Sequence, residues 1–392
     1  MSRVLTLIIT AFALCFASCA QLPHDSYEGR RYFLMGDYVR AAEVLERGAE
    51  EAGGNDLLLL MEAGYAWHCA REYARSCIAL ERADELAQIR SVVSLSEETA
   101  SLVISDGFKP YRCPDYERAL ILILLAVNRF LLGEVENALV ELRRLEEYIQ
   151  SLENMGKDWL SLPAIHYLSG VCYFRAGEYD NARQEFSRAI ALEPSVEVYH
   201  EALRLAETHF ARDPSETDVG WLLCVSETGL APIRVPAASF TAVPAFARRN
   251  SALSDAEVSA VVDGAIIPTV GRIDIERMAV EWLQSRAAYY LAKEVGSVAA
   301  REILADKIGD MTDSSDAEAA VRLALFLSRR PDLRSWQVLP QRITIAASPF
   351  HEYEGTVRFR VRGKCGEFSS ESVHIRVKRG KITTVLHKAL NF

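Results

Sequence analysis

The residue types that carry chemistry are all present in this 392-residue sequence, but their spacing assigns them little. His200-Glu201 followed by His209 has the composition of a helical zinc-protease motif. Its second histidine, however, comes nine residues after the first instead of four, so the two imidazoles do not share one helical face. Cys69, Cys77, Cys113, Cys172, Cys224 and Cys365 form no CxxC pair, and their intervals of 8, 36, 59, 52 and 141 residues match no zinc-ligand pattern. No GxSxG, Walker loop or GxGxxG stands at a strand-to-helix turn. The expectation is a chain that is not an enzyme, with no catalytic residue, metal or cofactor, whose isolated cysteines serve as small buried hydrophobes. His68 reads as a satisfied groove residue among apolar neighbours. Asp332, Arg334 and Trp336 read as an ion pair with the indole packed beneath it, in preference to a surface recognition patch.

One further cysteine has a context. Arg3 precedes an apolar stretch from Val4 to Phe16 and then small residues, the plan of an export signal that is too short to span a bilayer comfortably. Phe16-Ala17-Ser18-Cys19 resembles the bacterial lipobox, with Phe16 standing where an aliphatic residue is usual. That resemblance implies a signal peptide over 1–18 and a mature chain beginning at Cys19, acylated by diacylglycerol and a palmitate-type chain. An ordinary cut after Ala20 is the alternative reading. At about 0.8 kcal/mol per buried methylene, several acyl chains anchor a protein without a spanning helix. The expected address is export, with lipid anchoring to a bacterial membrane and the chain facing the periplasm or cell exterior.

The elements that would position any site come next. Half of the residues are apolar, enough for real cores, and the formal charge of −10 makes nucleic acid an improbable partner. A phrase recurs: GDYVRAAEVLERG from Gly36, REYARSCIALERA from Arg71, GEVENALVELRRL from Gly133 and GEYDNARQEFSRA from Gly177. In the last copy Gly170, Tyr173, Ala182, Phe186, Ala189 and Pro194 stand at the spacings of the tetratricopeptide repeat, which the segment resembles. The predicted organisation is a helical-hairpin array over 19–212, interrupted by an insertion near 84–115 that forms a lid or flap.

Repeats of this kind present the first helix of each hairpin to a concave groove. That geometry places Met61, Tyr65, His68, Ile123, Phe130, Tyr167, Phe174 and Arg175 on a lining that would bind a partner. The run ALILILLAV from Ala119 to Val127 is apolar all round, and such a helix is normally covered on every side. The expected cover is the flap or the C-terminal half. The other reading is an open groove for a hydrophobic ligand or a partner helix.

Beyond Asp213 the period changes. Gly220 to Val225 and Ile233 to Ala242 read as extended chain, whereas Ile275 to Val295, Val298 to Asp310 and Asp316 to Ser328 read as helices. Thr356 to Gly363, Ser372 to Lys378 and Ile382 to Leu386 alternate apolar and polar residues, and with Ile343 to Ala346 they predict a small antiparallel sheet. The expected fold class is α+β, with boundaries at 19–212 (repeats), 213–335 (mixed strand and helix) and 336–392 (β-rich). The β-rich end carries Arg358, Arg360, Arg362, Lys364 and Arg376, which read as protection of sheet edges or as contacts to an anionic envelope surface.

ERALILILLAVNRFLLG, SETGLAPIR and DLRSWQVLP, the last with its D-x-R-S-W-x-x-L-P pattern, together resemble a family of bacterial tetratricopeptide-repeat lipoproteins without an assigned activity. The resemblance covers roughly 116–348. It implies architecture and an envelope address, and it brings no catalytic residue with it. The expected function is a membrane-anchored adaptor or scaffold for an envelope protein or peptide, in cell-envelope assembly or its regulation. The alternative is a carrier of a hydrophobic small molecule or lipid in the groove.

Overall fold

The computed structural model describes residues 24–51, 53–91, 109–157, 160, 162–210, 219–238, 243–312, 331–364 and 366–390. The lipobox and Cys19, most of the 84–115 insertion, and the helix expected over Asp316 to Ser328 lie outside them. The fold is α+β. Four antiparallel hairpins come first: α1 (His24–Leu34) with α2 (Tyr38–Glu51), α3 (Asp56–Cys69) with α4 (Tyr73–Ser91), α5 (Asp115–Leu132) with α6 (Val135–Asn154), and α7 (Pro163–Arg175) with α8 (Tyr179–Leu192). α9 (Glu197–Phe210) caps the array.

The hairpins close because a small residue lets two backbones approach under a large one. A Cβ added to Gly29, Gly64 or Gly170 would lie 2.5, 2.6 and 2.5 Å from the side chains of Leu45, Leu80 and Phe186 respectively. The third hairpin carries Ala126 at the equivalent place, which is why its repeat frame is the loosest of the four. Gly36, Gly133 and Gly177 take positive φ at the tight turns, and Arg71 holds that conformation in the second hairpin with φ of 66°.

The remaining chain builds two stacked sheets. In the first, the order is β11 (Ile382–Ala389), β1 (Gly220–Thr228), β7 (Arg342–Phe350), β6 (Thr269–Asp274). β1 is buried along its whole length, and its period of two sorts its side chains. Trp221, Leu223 and Val225 join the core of the helical array, whereas Leu222 and Cys224 join a second core beneath. That second core is closed by β10 (Val373–Val377), β8 (Tyr353–Gly363), β4 (Glu257–Val262) and β5 (Ala265–Ile266), with β9 (Gly366–Ser369) beside β8. A short ribbon of β2 (Ile233–Pro236) and β3 (Pro244–Ala247) stands apart.

Four expectations need correction. The boundary at 335/336 divides strands that share both sheets, since β1 pairs with β7 and β11, and β4 pairs with β8. The boundary at 212/213 separates no core either, because one apolar cluster runs from Phe33 through Trp221 to Leu390. The C-terminal strands do not form one antiparallel sheet: β7 and β11 flank β1 in the first sheet, and β11 runs parallel to β1. Finally, the helix from Ile275 breaks at Arg286, giving α10 (Ile275–Ser285) and α11 (Ala287–Thr312). The apolar stripe Ile275, Met278, Ala279, Trp282 holds α10 to the core and ends at that indole, and the Arg286 guanidinium lies 5.6 Å from the Trp282 ring and 5.1 Å from that of Tyr289.

His387 on β11 lies between the sheets, stacked on Phe359 with centroids 4.8 Å apart and planes at 13°. Burial pushes its pKa down to about 4. The folded value lies below the unfolded one near 6.5, so the folded chain binds fewer protons and loses stability as the pH falls from about 6.5 to about 4. His387→Phe keeps a ring on Phe359 and removes the titration. Urea melts across that window should lose a slope worth on the order of 2–3 kcal/mol, and an unchanged slope would assign it to other groups.

Candidate functional site

The concave face of the array is lined by α3, α5 and α7, and the first sheet sits in it. Met61, Tyr65, His68, Ile123, Phe130, Tyr167 and Phe174 are all buried. The Trp221 ring from β1 lies 5.9 Å from both the Tyr167 and Phe174 rings and 6.4 Å from that of Phe186. The Tyr199 hydroxyl of α9 donates to the Val270 carbonyl of β6 at 2.5 Å. Arg175 turns aside and pairs with Glu136 at 2.5 Å. The groove is therefore filled by this chain, and the lining is core. An open lining available to a ligand is not what the seven buried residues form.

Three buried glutamates do the polar work at this junction, and the first meets a histidine. Glu227 belongs to the set of β1 residues that faces the helices. Its Oε2 accepts from the Tyr65 hydroxyl at 2.9 Å, and its Oε1 lies 3.1 Å from His68 Nε2, with both side chains fully buried. The direction of every bond behind that contact follows from one carbonyl. Gly64 O can only accept, so the Ser76 hydroxyl donates to it at 2.6 Å. Ser76 Oγ then accepts from Asn128 Nδ2 at 2.8 Å, which leaves Asn128 Oδ1 to accept from His68 Nδ1 at 2.6 Å. With Nδ1 committed to Asn128, His68 presents Nε2 to the Glu227 carboxylate, and protonation there makes the contact an ion pair. Burial alone would raise the pKa of Glu227, but the His68 charge and the Tyr65 hydrogen bond hold it below the usual carboxylate range. Lys388 of β11 adds a second strap by donating to the Cys69 carbonyl.

The other two glutamates grip the segment 331–341. Glu117 accepts from Tyr111 at 2.5 Å, from Tyr116 at 3.0 Å and from the Trp336 backbone N–H at 3.1 Å. Burial pushes its pKa up despite those donors and nearby Arg234. Glu62 takes the Arg30 Nε at 2.9 Å and the Gln337 backbone N–H at 3.1 Å. Arg334 reaches Asp332 at 2.8 Å, Asn55 at 2.8 Å and the Lys109 carbonyl at 2.9 Å, and Trp336 is buried beside it. Burial would raise Asp332, yet the Arg334 hydrogen bonds and charge bring it below its ordinary value. The segment is thus held in the groove by carboxylates, two of which take the backbone amides of Trp336 and Gln337.

None of this arrangement supplies a nucleophile beside a cavity. His200 donates to the Pro194 carbonyl at 2.9 Å, and His209 donates to the Leu205 carbonyl and packs 5.1 Å from Phe174, so the two histidines of the sequence motif have separate structural partners. Cys69, Cys77, Cys113, Cys172 and Cys224 are free thiols, and burial raises Cys77 to about 11 and Cys224 to about 12. The arginines of β8 and β10 face solvent among acids: Arg360 and Arg362 share Glu367, and Arg376 pairs with Glu354. No described helix is long and apolar enough to cross a membrane.

Residues 163–196, the hairpin of α7 and α8, match the tetratricopeptide repeat family model. Among solved structures, the chain is similar to the MamA protein at 14% identity, covering 46% of this chain and 78% of that one with a TM-score of 0.32. It is also similar to the complex of the TPR2AB domain of yeast Sti1 with pHSP90, at 13% identity, 48% and 70% coverage, and a TM-score of 0.23. A tetratricopeptide repeat protein from Parabacteroides merdae matches at 15% identity, 47% and 97% coverage, and a TM-score of 0.15. No curated protein matches the sequence. The chain therefore carries a tetratricopeptide repeat over residues 163–196.

Proposed function

We propose that this chain is a lipid-anchored scaffold of the bacterial envelope, acylated at Cys19 and without enzymatic activity, that presents a rigid body to an envelope protein or peptide. The observation that carries the reading is the filled groove. Repeats and sheets share one core, so what the molecule offers a partner is its outer surface. The carrier reading draws no support from this geometry, because Tyr65, Phe130, Tyr167 and Phe174 pack into the core that a lipid would have to occupy.

Cys19→Ser tests the anchor. The exported variant should leave the membrane fraction, because the acyl chains proposed to hold it there are gone. If it still sediments with membranes after a high-salt wash, acylation of Cys19 is not what holds the protein. Native mass spectrometry of the same soluble form separates the two functions: one stoichiometric envelope protein supports the scaffold, and a co-purifying lipid supports the carrier.

A further inference from the structure

Away from the filled groove, three helices bring together side chains of a different kind. Glu146 of α6, His166 of α7 and Glu185 of α8 place their ligand atoms within 4.8 Å of one another. Glu185 is buried and the other two are half-buried. His166 Nδ1 lies 2.8 Å from Glu185 Oε2. A cavity of about 280 Å³ opens beside the cluster, lined also by Arg143, Ser169, Tyr173 and Asn181.

The space between the two carboxylates is held by a cation already. Arg188 Nη1 donates to Glu146 Oε1 at 3.2 Å and to Glu185 Oε1 at 2.8 Å. Its side chain is 53% exposed, so it can swing into solvent without disturbing the core. Two carboxylates and one imidazole, coming from three separate helices and bordering a polar cavity, are a donor set for a borderline divalent ion.

We propose that Glu146, His166 and Glu185 form a binding site for a divalent transition-metal ion of the zinc class, with Arg188 as the cation it displaces. Bond lengths of roughly 2.0–2.2 Å require donors about 3.3–3.5 Å apart, so the cluster must contract by about 1 Å, which the long Glu146 side chain can supply. Coordination needs the Nδ1 lone pair, so the proton that His166 shares with Glu185 moves to Nε2 or to solvent as the metal enters. The remaining coordination positions face the cavity. A metal there fastens α6 of the third hairpin to both helices of the fourth. The proposal is independent of membrane anchoring and of any partner.

The test uses the full chain, freed of metal with a chelator and titrated with Zn²⁺ while binding and Tm are followed. The expected result is saturable uptake of one equivalent with a rise in Tm. His166→Gln and Glu185→Gln should each weaken uptake by about 100-fold or more, as loss of a ligand does at least as much harm as loss of its support. Arg188→Ala should tighten it by about tenfold, because the competing ion pair is gone. Glu146→Gln, at the more exposed ligand, gives the same readout if a core variant fails to fold. Absence of saturable uptake in both the parent and Arg188→Ala would overturn the site, as would uptake that survives in folded His166→Gln, since the metal would then sit on other groups.

Discussion

Glu227→Leu should lower the unfolding free energy by about 3–5 kcal/mol, the usual cost of removing one partner from a buried, hydrogen-bonded pair. The substitution keeps the volume but leaves the Tyr65 hydroxyl and His68 Nε2 without the carboxylate they face, in a site that water does not reach. Loss of the second imidazole proton does not restore the contact, because Asn128 Oδ1 keeps its donor on Nδ1 and a bare Nε2 would then meet only methyl groups. A double variant, His68→Phe with Glu227→Leu, removes both charges and should recover much of the loss. Urea melts of the two singles and the double close the cycle. A Glu227→Leu loss below about 1 kcal/mol would mean that the pair contributes little to the stability of the folded chain. The pH behaviour follows from the same pair. Glu227 has a folded pKa below its unfolded one, so its contribution is present at neutral pH and is lost as the pH falls below the ordinary glutamate range. That window lies on the acid side of the one set by His387, so the two can be separated.

Much of the architecture was legible from spacing alone, and the reasons it was legible are local. The pairs Gly29 with Leu45, Gly64 with Leu80 and Gly170 with Phe186 stand sixteen residues apart in each hairpin, and the close approach that fixes them is a property of the hairpin itself. The strand faces of β8 alternate for an equally local reason, since Val357, Phe359 and Val361 point to the core between solvent-facing arginines. The pairing of β1 between β7 and β11 was not legible, because it joins residues more than a hundred positions apart and no local preference encodes it.

The junction was half legible. The aromatic lining was recognised, but Glu62 and Glu117 were passed over, although each interrupts an apolar run, LLLLMEAGYAW and YERALILILL, where an ionised side chain has to find a partner. Glu227 ends the apolar β1 in the same way. A charge inside an otherwise buried element is the signal that would have pointed to a groove filled by polar groups of the same chain. The partners, the backbone amides of Trp336 and Gln337, leave no mark on the sequence because every residue but proline has one.

Ile123→Asp tests whether the concave face is core or open surface, and the expected result is a collapse of stability. α5 is buried without a break from Ala119 to Asn128, with α4 and α6 on the array side and α10 and β11 on the other. A carboxylate at Ile123 would lose the burial of an isoleucine and would lie near no described counter-charge on the apolar run, at a combined cost of about 5 kcal/mol or more. That is comparable with the whole stability of many domains, which runs at roughly 5–15 kcal/mol. Ile123→Val, by contrast, removes a single methylene and should cost about 0.5–1.5 kcal/mol, reporting on the packing without introducing charge. Because repeats and sheets share one core, the damage should not stay within the third hairpin: near-ultraviolet signals from Trp221 and Trp336, which lie in the C-terminal half, should melt together with the helical signal and at a lower temperature. If Ile123→Asp instead melted like the parent and lost only the capture of an envelope partner, the helix would be an exposed recognition surface, and the filled groove from which the scaffold reading starts would have to be given up.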